Sequence, residues 1–323
     1  MQQRAATRSV LVWHVHGSWT QSFVAGRHRC VLPLNEDRDA FGRGLCGRKW
    51  PRAQEIPWWQ LGDEDIDLVV LQRPEEVELA TRWLGRRPGI DVPAVYVEHN
   101  APRPFAVDSV HPIAGRDDMP LIHVTDFNRM MWDNGVAPTR VITHGIADPG
   151  PLYTGEIAAA AAMINEPLRR WRTVGADLLE ELSAHAPIDV WGIETEALSG
   201  TQNVCGKGDV PPPRLWRQVA RRRVYLHSAR WTSLGLSLIE AMYLGMPVVA
   251  VAATMTPLVV PAEAGVVSAD VATLAHALEG FVTDLSAASA AGKAARDFAM
   301  AHFALERFLA EWENVIDEVC EQG

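Results

Sequence analysis

The sequence predicts an α/β protein with two parallel-sheet domains. Short apolar runs alternate with helix-like segments along the 323 residues, which is the pattern of parallel strands joined by crossover helices. The runs are almost continuously apolar, as expected of strands that helices cover on both faces. The alternation pauses at the turn-rich segment Asp148-Pro149-Gly150-Pro151 and then starts again, which marks a linker between two domains.

Five apolar runs before the linker and five after it are the predicted strands. They are VLVWHVH (10–16), DLVVL (67–71), AVYV (94–97), LIHVT (121–125), RVIT (140–143), the Ala-rich run 156–164, IDVW (188–191), VYLH (224–227), PVVAVA (247–252) and GVVS (265–268). Two helix-like segments, Ala288 to His302 and Leu305 to Glu321, follow. The predicted organisation is an N-terminal domain over 1–149, a C-terminal domain over 150–302 and a C-terminal helix over 303–323 that packs back across the domain junction.

The charge balance argues against a nucleic-acid-binding protein. The chain carries 30 basic and 40 acidic residues, a net charge of -10, whereas nucleic-acid binding requires a basic surface. Only Lys49, Lys207 and Lys293 are lysines, so nearly all the positive charge is arginine. Arginine offers a fixed fork of donors that suits phosphate. A GC-rich genome explains most of this bias equally well.

Targeting and metal signals are weak in this sequence. No apolar run before the first strand has the length of a signal peptide, and none approaches the roughly 18 residues of a membrane-spanning helix. The four cysteines are widely spaced, with no CxxC pair, and no His/Asp/Glu set has the spacing of metal ligands. We expect a cytoplasmic protein with reduced thiols, no metal and no other cofactor.

The most informative segment runs from Arg222 to Ala252. A strand leads through a polar loop, 228–233, into a helix predicted from about Gly235 to Leu244, which ends at Gly245. The loop therefore brings the free amides of a helix N-terminus to the carboxyl edge of a sheet. These amides and the helix dipole favour phosphate, and Gly235 leaves room for a ligand to approach.

Glu240 lies in the same helix among Leu238, Ile239, Ala241 and Met242. A carboxylate in such apolar surroundings is costly to bury without partners, and the two hydroxyls of a ribose would supply them. The alternative is a glutamate that faces solvent or pairs with an arginine. The glycine loop and the helix start beside it favour the ligand interpretation.

The string SLGLSLIEAMYLGMPVV resembles the signature of retaining GT-B glycosyltransferases of glycosyltransferase family 4, which is E-x7-E with FGL inside and EAM at the second glutamate. The resemblance, weaker elsewhere, extends over most of the chain. It implies two Rossmann-like domains whose sheets face each other across a cleft. It also implies that Glu240 holds the ribose of a nucleoside diphosphate sugar, and that Ser233, Leu234, Gly235 and Leu236 meet its diphosphate and sugar.

The chain departs from this signature at one position. Thr232 stands where the family has the first glutamate, which contacts the hydroxyls of the donor sugar. Thr232 remains a predicted donor-binding residue. The replacement leaves two expectations open, a changed choice of donor sugar and a lowered activity.

In the family, an arginine and a lysine early in the second domain grip the diphosphate. Here Arg169, Arg170 and Arg172 follow the first strand of that domain, in the segment RRWRTVG, and Arg172 would stand in for the lysine. Two guanidinium groups could stabilise the departing charge. The alternative is a solvated basic turn.

Several polar residues of the first half follow predicted strands, where α/β enzymes keep their working side chains. Gly17, just after the first strand, permits close approach of a donor. The resemblance implies that His99 contacts the donor sugar or the reacting centre, and that His144 is structural. Trp58-Trp59, after Pro57, is the predicted exposed pair and the candidate for an acceptor or peripheral membrane contact.

The predicted function is transfer of a sugar from a nucleoside diphosphate to an acceptor hydroxyl or amine, with retention and without a metal. A nucleotide-sugar epimerase, which also occurs on the GT-B fold, is one alternative. A catalytically weak protein that binds a nucleotide-sugar is another, suggested by Thr232. A dehydrogenase is disfavoured because the first strand leads into HGSWTQ rather than GxGxxG.

Overall fold

The chain forms two parallel sheets, each flanked by helices, in a computed structural model that describes residues 6–322. Its internal contacts divide it into two units. Unit 1 contains the residues up to Ile146 and those from Leu305 onward, and unit 2 contains Ala147–Ala304. The boundary at 146 lies close to the predicted one at 149, and the last helix groups with unit 1.

Unit 1 is built on a seven-stranded sheet with the order β3-β2-β1-β4-β5-β6-β7, and all its strand pairs are parallel. Between β1 and β4 the order of the strands reverses, which is where an α/β sheet binds its ligands. In chain order the elements are β1 (Ser9–Val12), α1 (Gly17–Phe23), β2 (Arg29–Leu34), β3 (Ala53–Pro57), a 3-10 helix (Trp58–Asp63), β4 (Leu68–Leu71), α2 (Glu75–Leu84), β5 (Ala94–Glu98), β6 (Leu121–His123), α3 (Asp126–Met131) and β7 (Thr139–Val141).

Unit 2 is built on a six-stranded parallel sheet with the order β10-β9-β8-β11-β12-β13, and its reversal lies between β8 and β11. Its elements are β8 (Ile157–Met163), a 3-10 helix (Ala176–Leu178), α4 (Leu179–Ser183), β9 (Ile188–Trp191), a 3-10 helix (Thr195–Leu198), β10 (Val204–Gly206), α5 (Arg214–Val219), β11 (Arg222–His227), α6 (Leu236–Leu244), β12 (Val248–Val251), α7 (Thr256–Val259), a 3-10 helix (Ala262–Ala264), β13 (Gly265–Ser268), α8 (Val271–Thr283) and α9 (Leu285–His302). Helix α10 (Leu305–Gln322) returns the chain to unit 1.

Every predicted strand is present, with ends that differ by a few residues, and three further strands were missed. β3 and β10 are short edge strands with polar or small residues, AQEIP and VCG, and β2 is interrupted by Pro33. Edge strands need no apolar face on both sides, so the continuous apolar run that marks a buried parallel strand is absent from them. The first predicted strand was too long, because β1 ends at Val12 and the residues after it form a loop.

Four aromatic side chains join the last helix to the first. Trp19 and Phe23 of α1 lie against Phe308 and Trp312 of α10, and all four are at most 5% exposed. The ring centroids of Trp19 and Trp312 are 5.8 Å apart, and those of Phe23 and Trp312 are 5.1 Å apart, both edge to face. Aromatic side chains of this size bury large apolar areas and favour this geometry. The contact packs α10 against α1 within unit 1.

Ion pairs surround this aromatic cluster. Arg27, just after α1, lies 2.5 Å from a Glu313 carboxylate oxygen and 2.9 Å from an Asp317 carboxylate oxygen on α10. The Arg27 side chain is 35% exposed, and partly solvated pairs of this kind contribute roughly 0–1 kcal/mol each. The aromatic cluster therefore supplies most of the stability of the contact, and the ion pairs fix its register.

Replacing Trp312 with alanine is expected to lower the free energy of unfolding of unit 1 by about 3–5 kcal/mol, because it removes a buried ring and leaves a cavity. The matched control is Trp59→Ala, since Trp59 is 54% exposed, and it is expected to change the stability by less than about 0.5 kcal/mol. Urea unfolding of the two full-length variants measures the difference. Equal effects of the two substitutions would show that the contact between α1 and α10 contributes little.

Candidate active site

Helix α6 begins at the carboxyl edge of the unit 2 sheet without a side-chain cap. Its N-cap residue is Gly235, whereas the aspartates Asp270 and Asp284 cap α8 and α9 through their carboxylates. Leu234 is buried, and Gly235 and Leu236 are half-buried. The N–H groups in the first turn of a helix have no acceptor within the helix itself, so the start of α6 offers donors to an anion.

The ring of His227 leaves no room for a side chain at position 235. A Cβ atom at this position would lie 2.8 Å from Cε1 of His227, the last residue of β11. Burial lowers the pKa of His227 to about 4, so this ring is a neutral imidazole against the start of α6. His227 was not among the predicted site residues, although its place at a strand end follows the same rule that singled out other histidines.

The loop before α6 is attached to the segment that follows β8. The Ser228 hydroxyl donates to the Val174 carbonyl oxygen at 2.7 Å, and the Arg230 amide donates to the Thr173 carbonyl oxygen at 2.9 Å. Gly175 has φ +70°, and a Cβ there would lie 1.9 Å from the Ser228 carbonyl oxygen, so only glycine fits. The structure therefore places the arginine-rich segment beside the predicted donor loop.

The three predicted arginines of this segment lie at the surface of unit 2. Arg169 donates from Nε to a Glu166 carboxylate oxygen at 2.7 Å, and Arg172 donates from Nη1 to an Asp177 carboxylate oxygen at 2.9 Å. Their side chains are 66% and 74% exposed, and Arg170 between them is half-buried. Exposed pairs of this kind are weak, so an anionic ligand could compete for both guanidinium groups.

Two side chains that sequence analysis did not single out hold the donor loop in place. Arg230 donates to an Asp177 carboxylate oxygen at 2.5 Å, and the Thr254 hydroxyl donates to the carbonyl oxygens of Thr232 and Ser233 at 2.6 and 3.0 Å. Thr254 follows β12, so the loop is held by its neighbours on both sides. Neither contact has a signal in the local sequence, because both join segments far apart in the chain.

Glu240 is buried within unit 2, at 5% exposure, on the second turn of α6. The indole Nε1 of Trp216 on α5 donates to its Oε2 at 3.2 Å. The alternative prediction, a glutamate that faces solvent, is wrong for this position. A buried carboxylate near an uncapped helix start is an acceptor for hydroxyl groups, and the Trp216 indole limits its rotation.

In unit 1, His99 lies in a group of histidines at the carboxyl edge of the sheet. Its ring centroid is 4.4 Å from that of His16 and 6.2 Å from that of His144. The Gln72 side-chain amide donates to the Trp13 carbonyl oxygen at 2.8 Å, which turns its own carbonyl oxygen toward His99 Nε2 at 3.0 Å. His99 Nε2 therefore carries a proton and donates, which leaves the lone pair on Nδ1.

A buried carboxylate fixes the turn that carries Gln72. Glu76 is fully buried. Its carboxylate accepts from the backbone N–H of Gln72 at 2.6 Å and from Arg73 Nε at 2.7 Å. Burial raises the pKa of Glu76 to about 7, against the opposing charge of Arg73. Through Gln72, this turn between β4 and α2 orients the imidazole of His99.

Burial keeps His99 and His144 neutral. Burial, with smaller contributions from the charges of His16 and His144, holds the pKa of His99 well below the usual range. Burial lowers the pKa of His144 to about 3, with further contributions from His16 and Arg307. His99 and His144 are therefore hydrogen-bonding groups and not cations near neutral pH, and an imidazole in this state can orient a hydroxyl group.

Gly17 is the first residue of α1, at the same edge of unit 1. A Cβ at this position would lie 3.8 Å from Arg48 Nη2 and 4.0 Å from His14 Nε2, so a side chain here would be in van der Waals contact with both groups. Among the predicted residues, His99 and Gly17 thus belong to unit 1, and the arginines, the donor loop and Glu240 belong to unit 2.

Among residues 6–322, no group of three or more His, Cys, Asp or Glu side chains could hold a metal ion. None of the helices in this range combines the length and apolar character needed to cross a membrane.

The family model described as glycosyl transferases group 1 matches residues 194–298, which include β11, α6 and the loop between them. No curated protein sequence matches the chain. The segment that carries the sequence resemblance therefore lies inside the matched region.

Solved structures resemble the chain over most of its length. HepE from Anabaena, in complex with UDP-glucose, superposes with a TM-score of 0.71 at 17% identity, covering 96% of this chain and 100% of HepE. Sucrose-phosphate synthase from Thermosynechococcus elongatus gives a TM-score of 0.69 at 14% identity, covering 98% and 100%. S. aureus TarM gives 0.64 at 16% identity, covering 77% of this chain and 55% of TarM, so the chain spans about half of that protein.

These findings confirm the predicted fold class. The protein has the GT-B fold, with two Rossmann-like α/β units, and residues 194–298 of its second unit match the glycosyl transferases group 1 model. The assignment to family 4, the cleft and the roles of the individual site residues stay predictions.

Replacing His144 with glutamine is expected to reduce the loss of stability in acid. An unfolded histidine has a pKa of about 6.5, so between pH 6.5 and 3 the unfolded chain binds a proton that folded His144, with its pKa of about 3, does not. Its contribution to stability is complete above pH 6.5, falls as the pH drops, and amounts to a loss of about 2 kcal/mol between pH 7 and pH 5.

Urea unfolding at pH 7 and pH 5 tests this for the wild type and the His144→Gln variant. The variant is expected to lose about 2 kcal/mol less than the wild type over this interval. Burial also lowers the pKa of His123, to about 4, so His123→Gln should reduce the loss in the same direction. Identical pH dependence of the wild type and the His144 variant would contradict a neutral, buried His144.

Proposed function

We propose that the protein transfers a sugar from a nucleoside diphosphate to an acceptor hydroxyl or amine, with retention of configuration and without a metal. The observation that carries this proposal is Glu240, a buried carboxylate one turn inside a helix whose start has no side-chain cap. It lies within the region that matches the glycosyl transferases group 1 model. A carboxylate acceptor beside anion-binding amides is complementary to a ribose linked to a diphosphate.

Each part of the donor has a proposed partner in unit 2. Glu240 accepts from the ribose hydroxyls, and the amides of Leu234, Gly235 and Leu236 face the diphosphate. The exposed side chains of Arg169 and Arg172 leave their carboxylate partners to neutralise the charge that grows on the diphosphate as the sugar departs. Because guanidinium groups hold phosphate through two parallel hydrogen bonds, such donors suit a leaving group with several oxygens.

The transfer needs no protein nucleophile in this proposal. The bond between the anomeric carbon and the phosphate oxygen breaks, and the bond from that carbon to the acceptor forms on the same face. The acceptor proton passes to the departing phosphate oxygen, so the step is balanced without another reactant. His99, neutral and oriented by Gln72, positions a hydroxyl group of the sugar or the acceptor.

The nature of the donor is narrowed by two observations. HepE structures contain UDP and UDP-glucose, which makes uridine nucleotides the first ligands to try. Thr232 offers a hydroxyl group where the related signature has a carboxylate, and its carbonyl oxygen is bound by Thr254. A hydroxyl contact is weaker than a charged one, so we propose a donor sugar that needs fewer contacts at this position.

Replacing Glu240 with alanine is expected to weaken UDP binding at least about tenfold, because a hydrogen bond to a charged group contributes roughly 1.5–3 kcal/mol. Glu279→Ala is the matched control, since Glu279 is an exposed residue of α8 in the same unit, and it should bind UDP like the wild type. Isothermal titration calorimetry measures both affinities. Undiminished binding by the Glu240 variant would refute the ribose assignment.

Turnover of the donor separates the alternatives. With UDP-glucose, slow release of UDP or transfer to an added acceptor supports a glycosyltransferase. Reversible isomerisation of the sugar without an acceptor would identify an epimerase, and tight binding without either reaction would identify a binding protein. No binding of any nucleoside diphosphate would contradict the whole proposal.

A further inference from the structure

A second polar site lies in unit 1, at the carboxyl end of β1. His14 is only 8% exposed, and its Nδ1 lies 3.2 Å from the carbonyl oxygen of Gly44. A carbonyl oxygen can only accept, so Nδ1 carries the proton and Nε2 carries the lone pair. Among the residues that the structure describes, Nε2 has no hydrogen-bond partner, and it lies 4.0 Å from the position of a Cβ on Gly17.

Arg48 approaches the same point from the loop that follows β2. Its Nη2 lies 3.8 Å from the position of a Cβ on Gly17, compared with 4.0 Å for His14 Nε2. Its other terminal nitrogen is 3.5 Å from the side-chain oxygen of Gln21. A guanidinium group and an imidazole nitrogen therefore both lie within 4.0 Å of the Cβ position of Gly17.

This corner of unit 1 has an excess of positive charge. Arg43, Arg48 and Lys49 form no ion pair within residues 6–322, although most arginines of the chain do. Two carboxylates of this segment bind elsewhere: Glu55 binds Arg38, and Asp39 accepts from its own turn. Burial is the main cause that lowers the pKa of His14, and the charges of Arg48 and Arg43 lower it further.

We infer that the acceptor carries a phosphomonoester group, which Arg48 binds with help from Arg43 and Lys49 while a neighbouring hydroxyl group donates to His14 Nε2. Three cations without a carboxylate partner suit a group with two negative charges, and a guanidinium fork suits its oxygens. That the bound phosphate group belongs to the acceptor rests on the proposed function. The binding of an anion at Arg48 does not depend on it.

Binding of methyl phosphate to the full-length protein, with UDP present at saturation to fill the donor site, tests the inference. NMR of 15N-labelled histidine follows His14, whose signal is identified by its absence in His14→Gln. Methyl phosphate is expected to shift this signal in a saturable manner, acetate is expected to bind at least fivefold more weakly, and methanol is expected to have no effect.

Arg48→Gln is expected to weaken methyl phosphate binding at least tenfold, and Arg48→Lys less. The matched control is Arg52→Gln, because Arg52 is an exposed arginine of the same loop that donates to the Gly26 carbonyl oxygen, and it should bind like the wild type. Circular dichroism and the melting temperature of each variant show that it is folded. If Arg48→Gln is unfolded, Arg48→Lys and Arg43→Gln take its place.

Three results would overturn the inference. Equal binding by the Arg48 and Arg52 variants would show an unspecific charge effect, and acetate binding as tight as that of methyl phosphate would exclude a preference for a double charge. A tenfold loss of UDP affinity in Arg48→Gln would show that Arg48 serves the donor. If methyl phosphate shifts the His14 signal but the protein binds no UDP, the anion site is supported and the proposed glycosyl transfer is refuted.

Discussion

The unit 2 site depends on how the backbone N–H and carbonyl groups of the loop before α6 find hydrogen-bond partners. Its amides and hydroxyl groups bond to the segment after β8, and the Thr254 hydroxyl holds its carbonyl oxygens from the side of β12. The chain thereby meets the hydrogen-bonding needs of the loop without using the first turn of the helix. Since buried backbone groups are otherwise paired, an uncapped helix start at a sheet edge is a prepared position for an anion.

The two units use ionisable side chains in opposite ways. Unit 2 places exposed arginines, which are paired with half-buried carboxylates, in the segment beside the loop before α6. Unit 1 buries several imidazoles at its sheet edge and keeps them neutral, while Glu76 holds the turn that orients one of them. A neutral imidazole accepts or donates a hydrogen bond without attracting counterions, whereas the arginines provide charge that a leaving group can recruit.

The sequence predicted the parts of this arrangement that are local. A continuous apolar run identifies a buried parallel strand, and a glycine before EAM-type helix residues identifies the start of α6, so the sheets and the donor loop were foreseen. Trp216 and Thr254 were missed because each reaches the site from a distant segment, and Arg230 was missed because its partner Asp177 is distant in the chain. The place of Arg48 beside His14 has no local signal either, since only the folded chain brings the two side chains together.

The attachment of α10 to α1 has a consequence for the order in which the protein is made. Unit 2 ends at Ala304, but unit 1 lacks its final helix until residues after 304 have been synthesised. Trp19 and Phe23 therefore lack their partners on α10 until all of unit 2 has been synthesised. Folding of unit 2 first would shorten the chain that α10 must close, which lowers the entropic cost of completing unit 1.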